Sequence, residues 1–198
     1  MCFFKRKKTP TNGLIYELRD DGYKVSGIKN FGGKEIVLPE LEKGKPVTGN
    51  FMASNFEAPE DKEFHLSKSI KEWFPIKNCP KFENYSVDKD HPKYAVVKGV
   101  LFDKDMTMLI DVPCGRSGKF VLPPMKKLLF PICSPFGGCD KITELDFTAI
   151  KDQLEMIQLG KLCKGMTALK KIVLPTWCKD RPWAGPAFGE FADMVEYR

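Results

Sequence analysis

At 198 residues the chain suits one compact domain or one short solenoid, and 42% hydrophobic with 29% charged residues excludes a disordered chain. Thirty-two Lys and Arg against 26 Asp and Glu leave +6, with signs alternating along the chain and no basic run beyond residues 5–8, so nucleic-acid binding is not expected. No apolar run approaches the roughly 20 residues of a membrane helix.

Residues 1–12 form a basic tail in which Lys-Arg-Lys-Lys follows Cys2, Phe3 and Phe4. Polar residues come next, where a secretory signal would place an apolar stretch, so no export signal is recognisable. The tail reads as solvated, or as an acylated membrane contact through Cys2, Phe3 and Phe4. The first reading is favoured, because a few charges and one lipid bind a membrane only marginally. Residues 14–18 and 23–28 alternate in polarity around Arg-Asp-Asp-Gly and predict a β-hairpin. A short strand at 36–38 ends at Pro39, and Gly44-Lys-Pro-Val begins another. Residues 13–50 are therefore expected to cap the exposed strand edge of the remaining chain.

The remaining chain is built on a repeat. Ile76, Cys79, Phe82, Tyr85 and Val87 are spaced 3, 3, 3 and 2, as are Phe136, Cys139, Ile142, Leu145 and Phe147, and again Cys163, Met166, Leu169, Ile172 and Leu174. Phe188, Phe191, Met194 and Tyr197 begin a fourth copy. Steps of three suit tight turns, and a final step of two is the signature of a strand. A unit this small cannot bury its own apolar face, so the units must stack around one core. The inward rows are Ile36, Phe64, Tyr85, Phe120, Leu145 and Ile172, and Leu38, Leu66, Val87, Leu122, Phe147 and Leu174, every member apolar or aromatic.

Residues 88–118 exceed the repeat length and read as an inserted antiparallel hairpin, with strands at 94–97, 100–102 and 108–112. Asp103 and Asp105 lack the further oxygen ligands and closing Glu of a calcium loop, so a hairpin turn is the reading there. The prolines of residues 126–136 predict an irregular apolar arc. Residues 149–164 predict a helix, with Ile150, Leu154, Ile157 and Leu162 on one face. Residues 176–198 form a terminal cap in which Trp177 and Trp183 plug the open end or mark a binding loop; the plug is favoured.

The phrases EIVLPE, KFVLPP, KKIVLP and FGGC, the stretch KYAVVKGVLFDKDMTMLIDVP and the opening YKVSGIKNFGGKEIVLPELEKGKPVTGNF resemble the BspA-type leucine-rich repeat proteins, from about Gly13 to Tyr197. The resemblance implies a β-rich α/β fold: a short right-handed leucine-rich-repeat solenoid with a parallel strand ladder, as one domain over residues 13–198. It also implies bacterial cell-surface or secreted proteins that contact host or neighbouring-cell proteins.

Seven cysteines without a C-x-x-C pair, two of them (Cys79 and Cys139) at one repeat position, read as buried thiols rather than a disulfide framework. Their spacing, with only two histidines, does not fit zinc, and no metal or cofactor is expected. Neither His65 nor His91 lies in a nucleophile motif, and no phosphate loop or dinucleotide fingerprint occurs. Alternation turns a third row outward: Val37, His65, Ser86, Val121, Asp146 and Val173, flanked by Glu35, Glu63, Asn84, Lys119, Glu144 and Lys171. This face, with Trp177 and Trp183, is the candidate contact surface for a protein partner in a noncatalytic binding module. The alternative is an assembly domain docked through its basic tail to a membrane or a partner. An enzyme has least support.

Overall fold

The computed structural model describes residues 8–29, 33–55, 62–77, 79–129, 133–154, 162–181 and 186–198. Within these, the step of three has a visible cause. The backbone N–H of Phe82 donates to the Cys79 carbonyl at 2.9 Å, Cys139 to Phe136 at 3.1 Å, Met166 to Cys163 at 3.0 Å and Leu169 to Met166 at 3.0 Å. Each of these four steps is thus one hydrogen-bonded turn that points its apolar side chain inward before the strand begins.

The described residues form β1 (Leu14–Arg19), β2 (Gly22–Ile28), β3 (Glu35–Val37), β4 (Leu41–Glu42), β5 (Lys45–Asn55), β6 (Glu63–Leu66), β7 (Asn84–Val87) and β8 (Tyr94–Val97). Next along the chain come β9 (Val100–Asp103), β10 (Leu109–Asp111), β11 (Ser117–Val121), β12 (Met125–Leu128), β13 (Lys141–Asp146), β14 (Ile150–Leu154), β15 (Lys171–Leu174) and β16 (Val195–Tyr197). Strands β3, β6 and β7 stack in parallel, with Ile36 beside Phe64 and Phe64 beside Tyr85. Strands β11, β13, β15 and β16 form a second parallel stack in which Phe120, Leu145, Ile172 and Val195 align. The fold is a short repeat solenoid, and both inward rows are where the spacing put them. Eleven of the twelve side chains are buried, and half-buried Val87 packs against the same hydrophobic cluster, which runs through both stacks. Cys79, Cys114, Cys139, Cys163 and Cys178 are buried thiols.

At the N-terminal end β1 and β2 form the expected hairpin, and β2 pairs in parallel with β5. This sheet covers that end of the core. At the other end Val195, Glu196 and Tyr197 lie beside Ile172, Val173 and Leu174 as a final rung, so Val195 rather than Tyr197 takes the place of Ile172, and Tyr197 stands two residues on, beside Leu174.

The insertion forms an antiparallel sheet of order β10-β9-β8, as its alternation predicted. Its tip decides the architecture. Lys98 and Gly99 both have positive φ (50° and 75°), the conformation of a two-residue hairpin turn whose twist matches its strands. That turn wedges against β7, and the Gly99 carbonyl accepts the N–H of Tyr85 at 2.8 Å. In an unbroken ladder this N–H would go to the next parallel strand. Arg116 fastens the wedge, donating to the Glu83 carbonyl at 3.0 Å, to Asn84 Oδ1 at 3.4 Å and to the Lys98 carbonyl. Gly99 has a φ of 75°, which disfavours a side chain, and a Cβ there would stand 2.2 Å from Asn84 Oδ1 and displace the Asn84 and Arg116 side chains that fasten the tip. The ladder read from the sequence as continuous is therefore divided between β7 and β11.

Two segments differ from expectation. Residues 149–164 were expected to form a helix, but residues 150–154 form a strand; residues 155–161 lie outside those described, and Leu162 and Cys163 after them are helical. The apolar arc expected at 126–136 begins as β12, which pairs in parallel with β14 and adds a second face to the C-terminal coils.

Candidate functional site

The outward row aligns within each half of the ladder: Val37, His65 and Ser86 in the first, Val121, Asp146 and Val173 in the second. Their flanks align as Glu35, Glu63 and Asn84, and as Lys119, Glu144 and Lys171. The break between β7 and β11 keeps the two groups from forming one surface. Burial separates them further from the broad apolar-centred face that alternation suggested. Val37, His65, Asp146 and Val173 are buried, whereas Val121 is 49% exposed.

The chain itself occupies the first half. Thr11 runs along the open edge of β3: its N–H donates to the Val37 carbonyl at 3.0 Å, and its hydroxyl oxygen accepts the Val37 N–H at 2.8 Å. The Lys8 ammonium then crosses the face, pairing with Glu35, with Glu63 at 3.1 Å and with Ser86 at 3.3 Å. Burial pushes the Glu63 carboxyl up, but hydrogen bonding to Ser86 and Lys8 outweighs it and holds the group below the usual carboxylate range. Lys8 is the last residue of the basic run; residues 1–7 are not among those described.

Ser86, His65 and Asp88 make a hydrogen-bonded chain that no sequence motif announced. His65 Nδ1 lies 2.9 Å from Ser86 Oγ, and its Nε2 lies 3.1 Å from Asp88 Oδ1. Asp88 in turn accepts the Lys68 N–H at 3.0 Å. These are the residue types of a hydrolytic triad, whose serine needs open space and preorganised donors for an oxyanion. Here Lys8 stands over the serine and the imidazole is buried, so the three groups hold the tail and join adjacent strands. His91 is also buried. Its Nε2–H donates to the Ser67 carbonyl at 3.0 Å, while Nδ1 accepts the N–H of Tyr94 at 3.1 Å. Desolvation lowers its pKa.

The second half carries ion pairs running from rung to rung. Lys119 reaches Glu144 at 2.8 Å and Asp146 at 2.7 Å, and Lys171 reaches Glu196 at 2.8 Å. Burial raises the Asp146 carboxyl, but hydrogen bonds from Lys119 and Thr148 prevail and hold it low. Water screens such exposed pairs, so they order the face more than they stabilise it. Trp177 is half-buried, its indole N–H donating to the Ile150 carbonyl at 3.2 Å and Arg181 standing 5.7 Å from its ring centroid. Trp183 lies outside the described residues.

Between the halves is a groove of about 510 Å³ lined by Asn84, Val97, Lys98, Arg116, Lys119 and Val121, among others. Arg116 and Lys98 escaped the sequence reading because they belong to neither row of the ladder. The only signal was the Lys-Gly turn in Val-Val-Lys-Gly-Val-Leu, which marks the hairpin tip but not what it touches. No group of three or more His, Cys, Asp or Glu among the described residues could hold a metal ion. No helix among them is long and apolar enough to cross a membrane.

The chain resembles leucine-rich repeat proteins. Solved structures similar to it include a leucine-rich repeat protein from Eubacterium ventriosum, 17% identical with a TM-score of 0.39, the match covering 71% of this chain and 49% of that one. Another is a leucine-rich repeat protein from Bacteroides ovatus, 13% identical with a TM-score of 0.39, the match covering 85% of this chain and 47% of that one. The chain thus spans about half the length of each. No protein-family model matches it, and no curated protein does.

Proposed function

We propose that the chain is a noncatalytic binding module for a protein partner. It engages that partner through the second half of the outward strand face and the groove beside it. The observation that supports this most is the contrast between Val37 and Val121. The two occupy the same place on the leading strands of the two half-ladders. Val37 is buried, its backbone paired with Thr11 and the face beside it crossed by Lys8, whereas Val121 is open and flanked by charged rungs of both signs. An exposed apolar centre with a charged rim is the usual composition of a protein contact. Stacked repeats present such surfaces readily. The resemblance to BspA-type proteins makes a host or extracellular-matrix protein the partner class to try first.

Retention of the protein on immobilised extracellular-matrix proteins is the test. The unmodified protein is expected to be retained above an albumin-coated control, and Val121→Asp with Glu144→Lys to reduce retention by about tenfold, the effect of roughly 1.4 kcal/mol. No retention, or retention indifferent to both substitutions, would overturn this reading.

A further inference from the structure

The fold contains its own example of how an open edge of this solenoid is closed. On β3, Val37 points its N–H and carbonyl away from β6, and Thr11 satisfies both as an added extended segment. Lys8 of that segment then reaches across to the acidic pair Glu35 and Glu63.

The leading edge of β11 presents the same geometry with no described segment on it. Leu122 donates its N–H to the Asp146 carbonyl of β13 at 2.9 Å. Alternation along the strand turns the N–H and carbonyl of Lys119 and Val121 the other way, toward the groove. Strand β11 ends its sheet, and no backbone group among the described residues pairs with that side. The wedge explains why, since the hairpin tip takes the Tyr85 N–H of β7 and offers nothing to β11.

The charges around the two edges are opposite. Glu35 and Glu63 flank the first, while Lys98, Arg116 and Lys119 line the groove of the second. Arg116 is half-buried, and its three hydrogen bonds all end on neutral oxygens. Lys98 is exposed and has no ion pair with a described carboxylate. Glu83, the acid of the groove, lies 3.9 Å from Lys62 on its other side. A second copy of this chain would bring a basic tail to a basic groove, so its charge does not match.

Resting on the reading of this chain as a binding module, we infer that the groove between β7 and β11 takes an extended acidic peptide segment of the partner. The segment adds as a strand to the open edge of β11, the counterpart of the β3 edge that Thr11 closes. Main-chain hydrogen bonds to Lys119 and Val121 would supply affinity, and an acidic side chain directed at Lys98 and Arg116 would supply selectivity.

The test uses the full chain and a labelled, end-blocked heptapeptide, Thr-Glu-Val-Glu-Val-Glu-Thr, monitored by fluorescence anisotropy. Binding is expected to weaken as salt rises, and by about tenfold or more when Lys replaces each Glu. Val121→Pro removes the edge donor while leaving the β13 side paired, as proline permits on an open edge. It is expected to cost about tenfold in peptide affinity. Lys98→Glu, a surface change independent of strand geometry, should reverse the preference toward the Lys peptide. Of two peptides N-methylated at alternate positions, one should bind like the parent and the other should not. Equal binding of the Glu and Lys peptides, or unchanged affinity in both variants, would overturn the inference. Matrix retention that persists without any peptide binding overturns the edge alone; absence of both removes the binding module as well.

Discussion

Phe64→Ala is expected to cost about 3–5 kcal/mol, the range for truncating a fully buried aromatic side chain. Phe64 is on the middle strand of the first half-ladder and is wholly buried. It meets Phe82 edge-on at 4.8 Å between ring centroids and Trp73 at 6.5 Å, while Phe82 meets Tyr85 at 4.7 Å. Truncation removes one side of that cluster, and neighbours fixed by parallel pairing on both flanks cannot collapse to fill the space. Since domains are typically stable by only about 5–15 kcal/mol, the variant should sit near the edge of folding. Val121→Ala, on the exposed face, should change stability by about 0.5 kcal/mol or less. Urea unfolding of the two variants checks this. A Phe64→Ala loss below about 1 kcal/mol would mean that the inward row is not a shared core.

The second large effect concerns Asp111, a carboxylic acid at 0% exposure in the hydrophobic cluster. Its Oδ2 accepts the Ile76 N–H at 2.9 Å and the Tyr85 hydroxyl, which itself accepts the Trp73 indole N–H at 3.0 Å. Its Oδ1 has no hydrogen-bond partner. Burial raises the Asp111 pKa from 3.8 to about 8, against the opposing pull of the Tyr85 and Ile76 hydrogen bonds. The folded state therefore keeps a proton that the unfolded chain gives up near pH 4. Stability from this group is complete below that pH and falls as pH rises from about 4 to about 8, because the native state binds more protons throughout that window. Over the whole window the loss is of order 6 kcal/mol at most. Asp111→Asn does not titrate. The variant should be the less stable form near pH 5, where its amide leaves two N–H donors unsatisfied against the single O–H of the protonated acid, and should overtake the unmodified protein toward pH 8. Urea unfolding across this range measures the difference. A constant gap between the two proteins would show that Asp111 is not held protonated.

The parts of the fold that were legible are those governed by local spacing. Phe82 can only follow Cys79 by three because a turn closes between them, and Phe120, Leu145 and Ile172 share a row because each begins the same step of two. The Val-Val-Lys-Gly-Val-Leu hairpin was legible for the same reason. Residues 149–164 misled because Ile150 and Leu154, four apart, satisfy both the helical period and strand alternation. The prolines after β12 hid its pairing with β14, a contact between residues distant in sequence.

The division of the ladder could not be read at all. An insertion of known length may lie beside two strands or between them, and only the contacts of Gly99 and Arg116 decide which. Lys8 and Thr11 were invisible for a related reason, since a polar tail carries no period. The outward row was thus placed in correct register but given the wrong exposure: His65 lies beneath its hydrogen-bond partners, and Val37 beneath the tail.

Amide hydrogen exchange at Val37, Lys119, Val121 and Leu122 tests the divided ladder most directly. The structure predicts slow exchange at Val37, held by Thr11, and at Leu122, held by Asp146, with fast exchange at Lys119 and Val121. Protection at Val121 equal to that at Val37 and Leu122 in the protein alone would contradict it, because the edge of β11 would then already be closed.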